Sequence, residues 1–259
     1  APANTVDYRV TLRPFTTTEY AARDFVSDLE QNHLGTLDAL LPAALLARLT
    51  IEQDIETVVA SYLTNPSLYN PSNTVTLLNG TTSWLATTSA NSSPLRDITT
   101  SKAAIRNSAG LEPNILILSP AAADALANHP ETRNLQQYTT NTIPGPGFPT
   151  EVRGLRVLVA AATANTSPPG VPFSPSPLWL NGSANVAIVA CTPNASAQSD
   201  RLPASILMPT TRPLALRTYR DEAAAGTYVE ASATIDVLRG VVDTNGRHTS
   251  AYLINDVCA

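Results

Sequence analysis

The sequence is poor in charge and almost free of lysine. Only 14% of its 259 residues are charged, and its sixteen basic residues are fifteen arginines and Lys102. The net charge is −5 and no basic run occurs, which argues against nucleic-acid binding as the main task. A chain with so little charge either exposes much Thr, Ser, Asn and Ala or covers its surface with neighbouring chains.

Cysteine and long apolar runs are also scarce. Cys191 and Cys258 are the only cysteines and lack the spacing of a zinc or iron–sulfur site. Cys191 ends an apolar run, which favours a small buried side chain, and a disulfide between the two stays open. No apolar run has the length of a membrane span. We therefore expect no metal, no cofactor and no membrane partner.

Signatures of catalysis are missing as well. The sequence has no G-x-S-x-G, phosphate-cradling glycine loop, H-E-x-x-H or C-x-x-C motif. His129 is expected to end a helix, and His33 and His248 to lie in polar loops. Thr99 and Lys102 have the spacing of a Ser–Lys pair, but on an expected helix surface. Because no acid, base and nucleophile converge, we predict that the protein is not an enzyme.

The most informative stretch is 111–134. Ile115 to Leu118 are four consecutive apolar residues, which indicates a strand buried on both faces. Ser119-Pro120 begins a helix, where the serine oxygen can accept from a free amide of the first turn. His129-Pro130 ends that helix. Asp97 to Ser108 forms an earlier helix that stops at Gly110, so the unit is helix, buried strand, helix.

A long helix is predicted from Thr36 to Leu63. Ile51, Ile55, Val58 and Tyr62 share one face, and we expect Leu41, Leu45 and Leu49 to continue that apolar stripe upstream. Pro42 either begins the helix or kinks it. The acidic side at Glu52, Asp54 and Glu56 is expected to face solvent or another subunit.

The remainder predicts strands joined by turns and stiff loops. Residues 16–35 are expected to be a loop with a short helix, and Trp84 to anchor a loop in the core. Two loops rich in proline, 139–153 with Glu151 and Arg153 as its only charged residues and 163–177 with none, suit protein–protein contact. The expected strands are Tyr8 to Phe15, Thr74 to Leu78, Leu155 to Ala161, Val186 to Cys191, Leu214 to Tyr219, Tyr228 to Leu238 and Ala251 to Ile254.

The short motifs in these segments, and their order, resemble those of one family. Asp97-Ile98, Gly110 to Asn114 and Asn128-His129-Pro130 follow a phrase of tailed-bacteriophage major capsid proteins with the Hong Kong 97-type fold. Weaker matches in the same order are Thr36 to Tyr62, Tyr69-Asn70, Ser176 to Trp179, Arg217 to Glu222 and Ala251 to Asp256. Relative to that family the sequence starts within the extended hairpin loop, so we expect a processed or rearranged N-terminus.

The resemblance implies an α+β fold in which a long spine helix packs on an antiparallel peripheral sheet and an α/β axial domain is inserted. The expected segments are 1–35, N-terminal arm and hairpin-loop remnant; 36–94, peripheral domain with the spine helix; 95–208, axial domain; and 209–259, closing strands of the peripheral domain. Some relatives link subunits through lysine. Because Lys102 lies on a central helix instead, we expect no such covalent network.

The function implied is that of a virion shell protein, a major capsid protein assembled in the host cytoplasm. Its partners would be itself, as hexamers and pentamers, the portal, decoration or scaffold proteins, and packaged double-stranded DNA without sequence-specific contact. Two alternatives are an encapsulin-like compartment shell and a secreted hydrolase or carbohydrate-binding module. Candidate subunit-interface residues are Arg9, Arg13 and Arg23 facing Glu52 and Glu56, with Pro144, Phe148, Pro169 and Phe173 in the two proline-rich loops.

Overall fold

The computed structural model describes residues 16–87, 91–139, 149–165, 167, 171–172, 174–192 and 205–258. The helices are α1 (Asp28–Leu34), α2 (Thr36–Thr64), α3 (Pro94–Ala109), α4 (Pro120–Asn128) and α5 (Pro130–Thr139). The strands are β1 (Thr18–Ser27), β2 (Thr74–Thr76), β3 (Ile115–Leu118), β4 (Glu151–Val152), β5 (Leu155–Val159), β6 (Thr163–Asn165), β7 (Pro175–Pro177), β8 (Leu180–Asn181), β9 (Ala184–Ala190), β10 (Ile206–Leu207), β11 (Thr210–Asp221), β12 (Gly226–Ile235), β13 (Leu238–Arg239) and β14 (Ala251–Asn255).

A mixed central sheet holds most of the core. Its strands run in the order β2, β14, β9, β3, β5, β4, and β8 pairs with β9 outside that path. Alternate residues of β9 point to opposite faces, so Ala187 and Val189 pack with α3 and α4, whereas Val186 and Ile188 pack with the end of α2. The sheet is therefore buried on both faces, as its continuous apolar runs predict.

A second, antiparallel sheet has the order β1, β12, β11. The alternation predicted from Tyr228 to Leu238 holds as far as Ile235, where β12 ends, and Val229, Ala231 and Ala233 are fully buried. Leu238 belongs to β13, which pairs with β10 in a separate sheet. Val229, Ala231 and Ala233 pack against Ala39, Ala43, Ala47 and Ile51, a row of α2 spaced by four residues. The spine helix thus packs on an antiparallel sheet, as expected.

Helix α2 runs without a break from Thr36 to Thr64, about 43 Å at 1.5 Å per residue. Its first half lies on the antiparallel sheet, and Ala60 and Leu63 near its end pack on the central sheet. Pro42 lies inside the helix rather than at its start. It removes the hydrogen bond to the carbonyl four residues before it, and the helix nevertheless continues on both sides of it.

The predicted leucine stripe of α2 is wrong. Leu41, Leu45 and Leu49 are 62%, 51% and 59% exposed, while the alanine row faces the sheet. The reason is angular: the step from Leu49 to Ile51 is two residues, about 200° around the helix, so the two sets lie on different faces.

The loop expected over residues 16–35 is also wrong, because Thr18–Ser27 is a strand paired along its whole length with β12. Its face toward α2 carries Tyr20, Ala22, Asp24 and Val26, a set too polar and small to read as an apolar alternation. The short helix expected there is present as α1, which begins in a capping box between Ser27 and Glu30.

The central unit is confirmed as helix, strand, helix, with Gly110 in the left-handed conformation at the end of α3. One detail differs, because the Ser119 side chain does not cap α4. Its hydroxyl donates instead to the Asn185 side-chain oxygen at 3.1 Å and ties the helix start to β9. A further helix, α5, follows His129-Pro130 directly.

Segments at the end of the chain join both sheets. β14 pairs antiparallel with β9 and parallel with β2, so strands from outside 95–208 complete the central sheet. The proline-rich loop 163–177 is bounded by a short hairpin of β6 and β7. The division into four segments stays a prediction, and the expected strand Tyr8 to Phe15 lies outside the described residues.

Candidate assembly surfaces

A serine and a histidine meet beneath α3. The Ser92 hydroxyl lies 3.3 Å from His129 Nε2 and donates to the Ser83 carbonyl oxygen at 2.7 Å. His129 Nδ1 accepts from the Glu131 amide at 3.3 Å, so Nε2 carries the proton and donates to Ser92. Burial lowers the pKa of His129, which agrees with a neutral ring. A ring in this tautomer cannot take the serine proton, so the contact is structural.

Thr99 and Lys102 do not form a pair. The Thr99 hydroxyl donates to the Leu95 carbonyl oxygen at 2.7 Å. Lys102 Nζ donates to the Arg153 carbonyl oxygen at 2.8 Å and lies 3.2 Å from Glu112. The ion pairs of Glu112 with Arg106 and Lys102 lower its pKa to about 2. The lysine therefore ties α3 to the turn between β4 and β5.

Of the two histidines expected in polar loops, His33 lies on a helix, whereas His248 lies in the segment between β13 and β14 but is buried. His33 is exposed on α1, and His248 is fully buried, with its ring centroid 5.2 Å from that of Tyr69. Its backbone explains the burial, because its amide donates to Leu68 at 2.7 Å and its carbonyl accepts from Asn70 at 3.0 Å. Neither ring nitrogen has a partner among the described residues. Burial, reinforced by Arg239, lowers the pKa of His248 to about 4.

Trp84 anchors its loop as predicted, fully buried, with Nε1 donating to Asp97 at 3.1 Å. Both cysteines are free, so no disulfide joins them, and burial raises the pKa of each thiol to about 11. Cys191 is buried, as expected.

An open groove of about 570 Å³ runs between α3, the start of α5 and the turn before β5. Its charged side chains are Arg96, Arg153 and Glu131. Glu131 accepts from Ser93 at 2.9 Å, and Arg96 donates to the Asn91 carbonyl oxygen at 2.7 Å. Glu131 and Arg96 are therefore already hydrogen-bonded within the chain. The side chains that line the groove do not form a catalytic set.

The exposed side of α2 is apolar. We call Leu41, Leu45, Leu46 and Leu49 the leucine stripe; all four are more than half exposed. The stripe lies on the side of the helix away from the antiparallel sheet, because the alanine row faces that sheet. Asp38 and Glu52 continue it at helical spacing, and Arg48 bonds Glu52 at 2.8 Å. Four exposed leucines on one helix face indicate a surface that another chain covers.

The open face of the antiparallel sheet carries a second cluster. Phe25, Tyr228 and Tyr219 occupy one cross-strand register, and we call them the aromatic row. Ring centroids are 5.0 Å apart for Phe25 and Tyr228 and 5.4 Å for Tyr219 and Tyr228. Phe25 is 37% and Tyr219 41% exposed. The row alternates with Val229, which faces α2, so it lies on the side of the sheet opposite the helix.

Arginines border this row. The Arg23 guanidinium lies 5.2 Å from the Tyr228 ring centroid, within cation–π range. Its interaction with the Tyr219 hydroxyl raises the pKa of Arg23. Arg23 and Arg217 lie on either side of Glu230 in the next register. Arginine and tyrosine held together at a surface are typical of interface hot spots, and only the resemblance to capsid proteins had pointed to Arg23.

Three of the predicted interface residues lie within the described chain. Arg23 and Glu52 are exposed on opposite sides of the body formed by α2 and its sheet. Glu56 accepts from Trp179 Nε1 at 2.8 Å, a contact that joins α2 to the segment before β8. Their pairing between subunits stays a prediction. Arg9, Arg13, Pro144, Phe148, Pro169 and Phe173 lie outside the described residues.

The described ranges contain neither a metal-binding cluster nor a single membrane-spanning helix. No group of three or more His, Cys, Asp or Glu side chains there is placed to hold a metal ion. No single helix there is long and apolar enough to cross a membrane; only the sharply bent pair of Asp28–Leu34 and Asp38–Thr64 meets the length and composition test.

Solved structures share this architecture. A phage-related protein from Bordetella bronchiseptica superimposes with a TM-score of 0.72 at 19% identity, over 98% of this chain and 80% of that one. The head structure of Helicobacter pylori bacteriophage KHP40 gives 0.58 at 11% identity, over 92% and 74%. The holo-SrpI encapsulin complex from Synechococcus elongatus gives 0.55 at 14% identity, over 98% and 79%. These likenesses confirm the α+β, Hong Kong 97-type fold.

Sequence comparison supplies the family. Among curated proteins no match is found. The family model described as phage major capsid protein E matches residues 14–232, most of the chain. The α+β fold, the two surfaces on either side of α2 and its sheet, and this match agree, and the chain belongs to the phage major capsid protein E family.

Proposed function

We propose that copies of this chain associate as hexamers and pentamers and close into an icosahedral shell around double-stranded DNA. Assembly would take place in the host cytoplasm, with a portal and with decoration or scaffold proteins as further partners. The proposal goes beyond membership of a capsid protein family, because it states what the subunit binds and how many copies meet.

The leucine stripe of α2 carries this proposal. Fully burying an exposed leucine side chain is worth about 1.5–3 kcal/mol, and these four are 51–62% exposed, so covering each supplies roughly half of that value toward association. A second copy is the partner that a shell subunit meets at fixed geometry. The low charge of the sequence supports the same conclusion, because interface cores are depleted in charged residues.

The remaining partners follow from charge and loops. With a net charge of −5 and no basic run, the chain suits DNA that is enclosed rather than read by sequence. The proline-rich loops 139–153 and 163–177 are proposed to meet at the capsomer centre, through Pro144, Phe148, Pro169 and Phe173. Proline lowers the entropy lost when such loops are ordered.

Electron microscopy and light scattering of the purified protein test the proposal. We expect closed shells tens of nanometres across by order of magnitude, built from rings of five and six subunits. Particles isolated from infected cells are treated with nuclease and then extracted. The extract should contain double-stranded DNA that the shell protected. A protein that stays a 27.3 kDa monomer under all assembly conditions contradicts the proposal.

The encapsulin likeness defines the second candidate, a compartment shell that encloses cargo protein. Native particles that contain protein cargo and no nuclease-protected DNA would favour it. The same particle preparation therefore separates the two functions.

A further inference from the structure

We propose that the leucine stripe of one copy docks against the aromatic row of the next copy around a ring. The inference deepens the proposed function and rests on it, because it names the two surfaces that meet when subunits form pentamers and hexamers.

Ring geometry requires two different surfaces. A ring of five cannot be built from a contact in which each surface meets its own copy, because such contacts pair subunits two by two. Head-to-tail contacts use one patch on each side of every subunit. The stripe on α2 and the row on the sheet lie on opposite sides of one two-layer body, which is the placement that a head-to-tail contact needs.

The two surfaces also complement each other in chemistry. The stripe offers four exposed leucines, and the row offers aromatic rings that already pack against one another. Aromatic rings held by their neighbours lose little conformational entropy when a partner covers them. Leucine against preorganised aromatics therefore buries apolar area at low ordering cost.

Charge favours the same pairing. Asp38 and Glu52 lie along the stripe, and the acid groups outnumber Arg48. On the sheet, Arg23, Arg217 and Glu230 border one edge of the aromatic row, and Asp221 borders the opposite edge, so the arginines gather at one edge only. Two stripes placed together would bring acid groups together. The stripe-to-row arrangement places Arg23 of one copy near Glu52 of the next, which is the pairing expected from the sequence.

A crosslinking experiment tests this arrangement directly. The variant Leu45→Cys/Tyr219→Cys carries one new thiol on each surface, and the single variants Leu45→Cys and Tyr219→Cys are matched controls. Each is assembled, treated with a flexible bismaleimide and separated on a denaturing gel. The native thiols contribute little background, because burial holds the pKa of both at about 11 and the thiolate is the reactive form.

We expect a covalent ladder that extends to five and six chains for the double variant and no ladder for either single variant. A link within one chain is excluded, because the two positions lie on opposite sides of the body. Single variants that crosslink into dimers would show like-to-like contacts and overturn the inference. A second pair, Leu41→Cys/Arg217→Cys, covers the case in which the first pair blocks assembly, and no ladder from either pair also overturns it.

The wild-type protein separates this failure from failure of the proposed function. If the wild type forms shells but neither double-cysteine variant gives a ladder, the stripe-to-row contact alone is rejected. A wild-type chain that never assembles rejects the shell function and the contact with it.

Discussion

His248 makes the folded protein sensitive to acid. An unfolded histidine takes up a proton near pH 6.5, whereas burial delays protonation of folded His248 to about pH 4. Between these values the unfolded chain alone binds the proton, so stability is complete above pH 6.5 and falls as the pH drops toward 4. We expect a loss of about 3 kcal/mol in the free energy of unfolding from this residue, by the usual 1.4 kcal/mol per pH unit. Urea unfolding at pH 7 and pH 4 measures it.

The variant His248→Leu is the control. Because neither ring nitrogen has a partner among the described residues, leucine leaves no group unpaired, and the acid-induced loss should shrink by the amount assigned to His248. Some acid sensitivity remains through His129, whose pKa burial also lowers. An unchanged difference between pH 7 and pH 4 in the leucine variant contradicts the assignment.

The burial of His248 could not be predicted from its neighbours. Arg247, Thr249 and Ser250 are polar, so the local pattern indicates a loop. The residue is buried because distant backbone at Leu68 and Asn70 pairs with it, and such pairing leaves no local signal. Trp84 and Cys191 were predictable, since an aromatic ring in a loop and a cysteine at the end of an apolar strand have one common use each.

At the scale of elements, the pairing of β1 with β12 depends on Gly226. An added Cβ there would lie 2.6 Å from the Val26 carbonyl oxygen and press on the Phe25 ring. We expect Gly226→Ala to reduce the free energy of unfolding by about 1–3 kcal/mol, the range for overpacking. Thermal or urea unfolding of the isolated protein measures it.

The double variant Phe25→Leu/Gly226→Ala tests the cause. Leucine removes part of the ring that the new methyl group would meet, so the two losses should sum to more than the loss in the double variant. Strict additivity would mean that the ring is not the obstacle.

The buried faces of an element were predictable wherever its apolar residues all pack within the same chain. The buried strands β3 and β9 carry unbroken apolar runs, at 115–118 and 186–190, and β12 alternates because only one of its faces meets α2. Helix α2 breaks that rule, because it has an alanine face toward its own sheet and a leucine face that stays exposed. Leucine is the more apolar residue, so the sequence alone assigns it to the core. Nothing local shows that the close helix–sheet contact takes alanine and that the leucines stay exposed.

At the scale of the whole molecule, the position of Lys102 bears on whether assembled subunits are covalently linked. It is the only lysine, its side chain is 13% exposed, and its Nζ contacts Glu112 and the Arg153 carbonyl oxygen. A lysine–asparagine isopeptide bond needs a free amine at the subunit surface. We therefore expect shells dissolved in hot detergent to yield chains of 27.3 kDa by mass spectrometry.

The variant Lys102→Arg is the matched control for this prediction and should likewise give only single chains, with a mass changed by the substitution alone. A series of multiples of the chain mass in the wild type, absent from the arginine variant, would show that Lys102 forms the link after all.

The unbroken course of α2 has a consequence for curvature. One helix without a hinge joins the antiparallel sheet to the central sheet, so the two sheets cannot tilt freely against each other. The subunit then behaves as a rigid unit. In the proposed shell, rings of five are more sharply domed than rings of six, and a rigid subunit cannot supply both shapes by bending. The difference would then be taken up at the contacts between subunits, where, under the proposed contact, leucine side chains can move over aromatic rings while both stay covered.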